Sequence, residues 1–463
     1  MKAKRLLILT CLVLVPFIIN AAEGTPVEDQ GAGFSFIALL KGLLGMAVLI
    51  GIAYLLSSNR KAISWRIVGI GLLIQLVIAI LVLKVPLFQH VIEFIGMMFI
   101  KVLDFSKVGS EFLFGELMNT ESTGFIFAFQ ILPTIIFFSA LTSVLYYFGA
   151  IQAVVYVLAW LLTKALRISG AEALSASGNI FLGQTESPLL IKEYLEKMNR
   201  SEIMLVMVGG MATIAGAVLA IYIGLLGGTD KVGQLLFAKH LITASVMAAP
   251  GAVVAAKLLL PQTEKVEGAI KVSREDVGSN ILEAIANGTA QGIRLAVNVG
   301  AMLIVFIAFV AMLNFILMKI GDWTTLNDAI AIVTDGQYKE LSMQFILGYA
   351  LAPITWTMGV HAKDMTLVAQ LFGEKIILNE MIAYISLKDL ILADAFYQQK
   401  SVIMATYMLC GFANFSSIGI LLGGIGALAP GKKKMLSQLG FRALIGGGLA
   451  SLFSATLVGI ILG

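Results

Sequence analysis

Charge is scarce in this chain. Asp, Glu, Lys and Arg make up 13% of its 463 residues, and the formal net charge is only +4. So small a net charge, carried by loops, suggests membrane topology and not a nucleic-acid surface. Histidine occurs three times, at His90, His240 and His361, and cysteine twice, at Cys11 and Cys410. No Cys-x-x-Cys or His-x-x-x-His spacing is found. That removes support for a disulfide framework or a metal centre. It also leaves an intramembrane enzyme without a nucleophile or metal to work beside an acid–base pair such as Glu186 and Glu380.

Apolar residues fill the space that charge leaves. The chain is 59% hydrophobic, with 46 glycines and 20 methionines, and its mean hydropathy is +0.94. Soluble domains do not reach such values. The fold class expected is an all-α integral membrane protein, in which glycine lets helices approach closely.

The chain begins with basic Lys2–Arg5, an apolar run Leu6–Ile19 and small residues up to Glu23. Residues 1–23 read as a signal peptide or N-terminal leader, with an uncleaved first helix as the alternative. Residues 24–463 then form one membrane domain. Spans are expected at about Phe34–Leu56 and Ile67–Val85, joined by a basic Arg60-Lys61 loop on the cytoplasmic side. Phe88–Thr123 reads as an external excursion whose single surface helix gives way to a polar stretch from Asp104 onward. A third span, Phe125–Phe148, leads to an interfacial helix, Ala150–Arg167.

The next segments, Ala171–Phe181 and Ser187–Met198, are too short to cross about 30 Å of hydrocarbon at about 1.5 Å per residue. They read as a re-entrant hairpin hinged at Gly183–Glu186. Spans at Ile203–Leu226 and Leu235–Leu260 follow, then a polar linker, Pro261–Asn287. In the first of these spans, Ala212–Gly216 fits close packing or local unwinding, and packing is the simpler reading.

A similar order then recurs: a span at Leu295–Met318, a helix at Leu341–Ile354, two short pieces within Met365–Ala395, a span Val402–Leu422 interrupted at Gly411–Ser417, and a final span Phe441–Leu462 after basic Lys432–Lys434. About eight transmembrane helices, two re-entrant hairpins and interfacial helices result. The halves, about 125–260 and 288–463, would lie inverted across the membrane. Secondary transporters are built this way, with broken helices meeting at the midplane.

Polar residues concentrate at those interruptions. Gly183, Gln184, Thr185, Glu186, Ser187 and Pro188 place an amide, a hydroxyl and a carboxylate between a residue that permits tight turns and one that opens helices. An intramembrane carboxylate costs about 2.5–3.5 kcal/mol on insertion scales, so it marks a functional position. Each group also has a structural reading. Glu186 would cap a helix or pair with a cation, Glu380 would pair with Lys375, and Asn414 with Ser416 and Ser417 would satisfy backbone freed at Gly411. Phe412 would pack as ordinary core, and Asn179 would cap a short helix.

Three stretches carry a resemblance. Gly183–Pro188, Gly373–Glu380 and Gly411–Ser417 resemble, in order, the signature segments of the concentrative nucleoside transporter family, over about Phe34 to the C-terminus. The resemblance implies a trimer that moves nucleosides by alternating access, commonly with sodium. It implies that Gln184, Thr185 and Glu186 bind the base, that Glu380, Asn414 and Ser417 hold the ribose, and that Val218 and Phe412 supply apolar contact. It implies a sodium site at Asn179, Thr213 and the carbonyls of Leu182 and Ile214. Thr213 stands where serine is common and Met381 where phenylalanine is common. Thr185 favours sodium over the proton coupling of members with serine there. The reading is a sodium-coupled nucleoside symporter of the bacterial inner membrane, partnered by nucleoside, sodium, lipid and two further copies of itself. It needs no cofactor and is not an enzyme. A proton-coupled symporter, or a carrier of another polar solute, is the alternative.

Overall fold

The computed structural model describes residues 35–124, 126–228, 230–264 and 279–463. The leader and most of the Pro261–Asn287 linker lie outside the described residues. Among those residues the secondary structure is entirely helical.

Helices α1 (Phe36–Leu56) and α2 (Trp65–Lys84) match the first two expected spans. Arg60, in the loop between them, donates to the carbonyls of Leu55 (2.8 Å) and Tyr54 (3.1 Å). These are end-of-helix acceptors without intrahelical partners, and a cation suits that end of the helix dipole. Helix α3 (Pro86–Phe114) departs from expectation, because it runs unbroken for 29 residues through the polar stretch. Gly96, Ile100, Ser106 and Ser110 face inward while Asp104, Lys107 and Glu111 face out. The polar residues therefore mark one face of an amphipathic helix, not its end.

Helices α4 (Leu132–Tyr147) and α5 (Ala150–Leu166) precede the first hairpin. Its first arm is α6 (Gly170–Gly178), opened by a capping box between Ser169 and Glu172. Its second arm is less regular than expected: a 3-10 run Ser187–Ile191 followed by one α-turn, Lys192–Leu195. Leu189 N bonds Glu186 O at 3.0 Å, the three-residue spacing of a tighter helix.

The expected span Ile203–Leu226 is two helices, α7 (Arg200–Ala212) and α8 (Gly216–Gly227), so the small-residue patch unwinds. Helix α9 (Lys231–Leu259) contains Pro250. Pro250 leaves Val246 O without its helical donor. Beside it Gln75 of α2 donates to Met247 O (2.9 Å) and to Ser454 Oγ (3.0 Å), tying α2 and α9 to the last helix of the chain.

The second half comprises α10 (Ile281–Trp323), α11 (Leu326–Val333), α12 (Met343–Thr357), α13 (Met365–Ile377), α14 (Glu380–Leu392), α15 (Gln399–Leu409), α16 (Phe415–Leu428) and α17 (Lys433–Leu462). Helices α13 and α14 are the second hairpin, turning at Leu378–Asn379. Helix α10 is 43 residues long, well beyond the expected Leu295–Met318.

Among the described residues, seven stretches are long and apolar enough to span a membrane. Counting the α15–α16 pair in the way α7–α8 is counted gives the eight expected. In α9 and α17, 94% of the most apolar window is buried, against 6% in α10. Helices α9 and α17 therefore form the core with α7, and α10 offers its apolar flanks to lipid or to another protein surface.

Candidate functional site

The two helix breaks lie against each other. Phe412 N donates to Thr213 O at 3.2 Å, and Gly216 N donates to Phe181 O on hairpin 1 at 3.0 Å. Two of the backbone groups freed by unwinding, Thr213 O and Gly216 N, are thus satisfied by the other break and by hairpin 1. Gly411 makes this crossing possible. Its φ is +141°, and a Cβ there would sit 2.6 Å from Ala212 O. Gly411→Ala should therefore lower the melting temperature of the detergent-solubilised protein markedly. The backbone conformation alone costs about 1–3 kcal/mol for a residue with a side chain, and an unchanged melt would contradict this packing.

Glu380 is the centre of the polar cluster. It opens α14 behind Asn379, whose Oδ1 accepts Ile382 N at 2.9 Å. A carboxylate is favoured at that end of a helix. Asn414 Nδ2 donates to Glu380 Oε2 at 2.9 Å, and Tyr222 OH donates to Oε1 at 3.1 Å. Asn414 is itself fixed as the cap of α16, its Oδ1 accepting Ser417 N (2.9 Å) and Ser416 Oγ (2.7 Å). Gln184, from hairpin 1, reaches across to donate from Nε2 to Ser417 Oγ at 3.2 Å. Gln184, Ser417, Asn414 and Glu380 therefore form one chain of hydrogen bonds, passing through the backbone N–H of Ser417, that joins hairpin 1, the second break and hairpin 2.

Other expected residues sit around that chain in different ways. Val218 is buried one turn before Tyr222 on α8, so both share a face. Phe412 is half-buried between the breaks. Thr185 is exposed and packs on Gly424 of α16, apart from the Glu380 cluster. Glu186 accepts Gly183 N at 3.0 Å, which is the capping role, and among the described residues it has no ion pair. The carboxylate also faces a cavity of about 470 Å³ between hairpin 1 and helices α4 and α10, with Phe181, Tyr146, Gln291 and Arg294 in its walls.

Asn179, Leu182, Thr213 and Ile214 lie where hairpin 1 meets the first break, on either side of the Phe181–Gly216 bond. Asn179 Nδ2 donates to Ser175 O (2.9 Å), while its buried Oδ1 has no partner. Thr213 Oγ1 donates to Gly209 O at 2.9 Å and keeps its lone pairs. Among the described residues neither the Leu182 nor the Ile214 carbonyl accepts a hydrogen bond. An uncharged set of oxygens, one of them orphaned in the interior, fits a hard monovalent cation.

Two residues of this region were not foreseen. Tyr222 gives no sign in sequence, because a tyrosine in an apolar span reads as packing. Lys375 reads in sequence only as a partner for Glu380, yet it bonds elsewhere, to Met408 O (2.8 Å) and Ser451 Oγ (3.1 Å). A further buried pair, Glu172 with Lys257, fastens α6 to the last turn of α9. Ser201 Oγ and Gln262 Oε1 complete the ammonium's bonds at 2.9 and 3.0 Å. Such full satisfaction is what a buried ion pair requires.

Known proteins share this architecture. The family model for the Na+ dependent nucleoside transporter C-terminus matches residues 240–459, that for its N-terminus matches 44–117, and the nucleoside recognition Gate model matches 128–229. An uncharacterized transporter of Haemophilus influenzae is 41% identical, over 92% of this chain and 98% of that one. Sodium/nucleoside cotransporter 1 of Rattus norvegicus is 39% identical over 91% of this chain, which spans 64% of the rat protein's length. Among solved structures, CNTnw in an inward-facing substrate-bound state superposes with a TM-score of 0.83 at 38% identity, covering 92% of this chain and 98% of that one. An outward-facing form of CNTnw also gives 0.83, at 36% identity and with 92% and 98% of the two chains covered. Matched along nearly its whole described length, this multi-pass membrane protein belongs to the Na+-dependent nucleoside transporter family.

Proposed function

We propose that the chain takes up nucleosides with sodium through a site assembled from both hairpin tips and both helix breaks. The observation that carries this reading is the Gln184–Ser417–Asn414–Glu380 chain of hydrogen bonds. Ribose hydroxyls both donate and accept. An ionised carboxylate accepts only, and Asn414 and Ser417 beside it can do both. Glu380, Asn414 and Ser417 would therefore hold the sugar. Gln184, whose buried Oε1 has no partner, would bind the base directly, with Thr185 and Glu186 acting from the same tip through water. Val218 and Phe412 would form the apolar walls that concave sites combine with a few polar groups. Asn179, Thr213 and the carbonyls of Leu182 and Ile214 would hold sodium.

Alternating access is supported by a second cavity. It measures about 310 Å³ and is lined by Thr134, Ala220, Gly224 and Lys231, among others. Along α4 and α8, Phe138, Ala217 and Ala220 lie between this cavity and the one beside Glu186. Phe99 stacks on Phe138 with ring centroids 6.0 Å apart. An apolar seam between two cavities suits a carrier that opens to one side at a time. The halves 125–260 and 288–463 would be inverted relative to each other. The exposed apolar flank of α10 would face lipid and two further copies in a trimer.

Uptake of labelled uridine and adenosine into proteoliposomes tests the reading, under a sodium gradient, a proton gradient or neither. Accumulation under the sodium gradient alone is expected, with Glu186→Gln reducing it several-fold. Accumulation driven only by protons would overturn the ion assignment. Folded protein that moves neither nucleoside would overturn the substrate.

A further inference from the structure

Hairpin 2 buries a lysine that the site described above does not use. Lys375 is fully buried in α13, and its Nζ donates to two uncharged acceptors, Met408 O and Ser451 Oγ. Met408 belongs to the last turn of α15, which ends at the second break. The final carbonyls of a helix have no intrahelical partners and together carry about half a negative charge. Hairpin 2 supplies partners for two of them: Tyr384 OH donates to Thr406 O at 2.8 Å, and Lys375 Nζ to Met408 O at 2.8 Å. The titratable groups facing the ammonium are Glu380 and Cys410.

The first half of the chain carries the matching feature with different chemistry. There α7 ends at the first break, and Asn179 of hairpin 1 lies against Gly209 of that last turn, its Nδ2 3.0 Å from the position of a Cβ. Each hairpin carries a polar residue ahead of its tip carboxylate, Asn179 before Glu186 and Lys375 before Glu380, at different spacings. One structural position, a hairpin's first arm against the end of a half-helix, thus holds an unpartnered oxygen in one half and an ammonium in the other.

We propose that Lys375 is a tethered cation, the second half's covalent counterpart of the sodium ion at the first break. Its charge offsets the partial negative charge at the end of α15, so only the α7 end responds to sodium in solution. Lys375 is therefore a positioning residue. It holds the α15–α16 break, and through it Asn414 and Ser417, in the geometry that Glu380 needs. The proposal rests on the sodium reading of the Asn179 site.

The test separates charge from shape. Lys375→Met keeps length and volume, and Lys375→Ala opens space for a small cation. In proteoliposomes, the Met variant should raise KM for uridine about 10-fold or more, the scale of one charge-assisted hydrogen bond. The Ala variant should be partly restored by methylammonium, and its Hill coefficient for sodium should rise toward two as sodium takes the position of the ammonium. A Met variant with wild-type KM and wild-type sodium dependence would show that shape alone matters and overturn the proposal. The unsubstituted protein supplies a check independent of variant folding. Its reversal potential should correspond to one charge per nucleoside, and two would mean that both half-helix ends take sodium, which also overturns it. Loss of the underlying sodium reading looks different: uptake by the unsubstituted protein would not respond to sodium at all.

Discussion

Glu380→Gln should lower kcat/KM for nucleoside uptake by about 100-fold or more, with the protein still folded. Hydrogen bonds to a charged group are worth about 1.5–3 kcal/mol each, and a ribose held by this carboxylate would lose both charge and acceptor capacity. The amide is also poorly accommodated. Asn414 presents Nδ2 to Glu380 Oε2, and it cannot turn over, because its Oδ1 is committed to Ser417 N and Ser416 Oγ. A glutamine must therefore point its own NH2 toward Tyr222, whose hydroxyl can rotate to accept it. The fold should survive that exchange while substrate binding does not. Uptake of labelled uridine, with a melting curve alongside, checks both halves of the statement. A variant within a few-fold of wild type would remove Glu380 from the sugar site.

Asn179→Ala should act on sodium instead. The substitution deletes the one buried side-chain oxygen of the set that lacks a partner. Its structural cost is small, because Ser175 O still accepts Asn179's backbone N–H (3.0 Å) and Ser187 Oγ (2.9 Å) after Nδ2 is gone. The sodium concentration for half-maximal uptake should rise about 10-fold or more, the scale expected for a lost charge-assisted contact. KM for uridine at saturating sodium should move much less. Sodium titration of uridine uptake measures this. Equal effects on sodium and uridine at saturation would mean that Asn179 shapes hairpin 1 as a whole and does not hold the ion.

Much of this architecture was legible in the residues. Runs too short to span, set between basic loops, identified hairpin 1, and Leu378–Asn379 falls inside the interruption expected for hairpin 2. Helix breaks were harder. Gly411–Ser417 carries several polar side chains, whereas Ala212–Gly216 carries only the Thr213 hydroxyl, which an unbroken helix accommodates as well, so the paired partner, Thr213 O with Phe412 N, is what reveals the unwinding. The extent of α3 was misjudged for the opposite reason, since polar residues were read as a terminus when they repeat along one exposed face. Tyr222 and Lys375 needed the fold, because their importance comes from groups 158 and 33 residues away in sequence. Thr185 and Gln184 both face α16 but at different heights, Gln184 at Ser417 in its first turn and Thr185 at Gly424 two turns on, a difference of side-chain direction at a turn that no motif encodes.

The proposed sodium and nucleoside sites form one connected unit, with Leu182 two residues before Gln184 on the same hairpin tip. Calorimetric titration of uridine into the purified protein, with and without sodium, tests this directly. Linkage requires that sodium strengthen uridine binding and that uridine strengthen sodium binding by the same factor. That reciprocal gain is the predicted result. Uridine binding with equal affinity at zero and saturating sodium would contradict the claim.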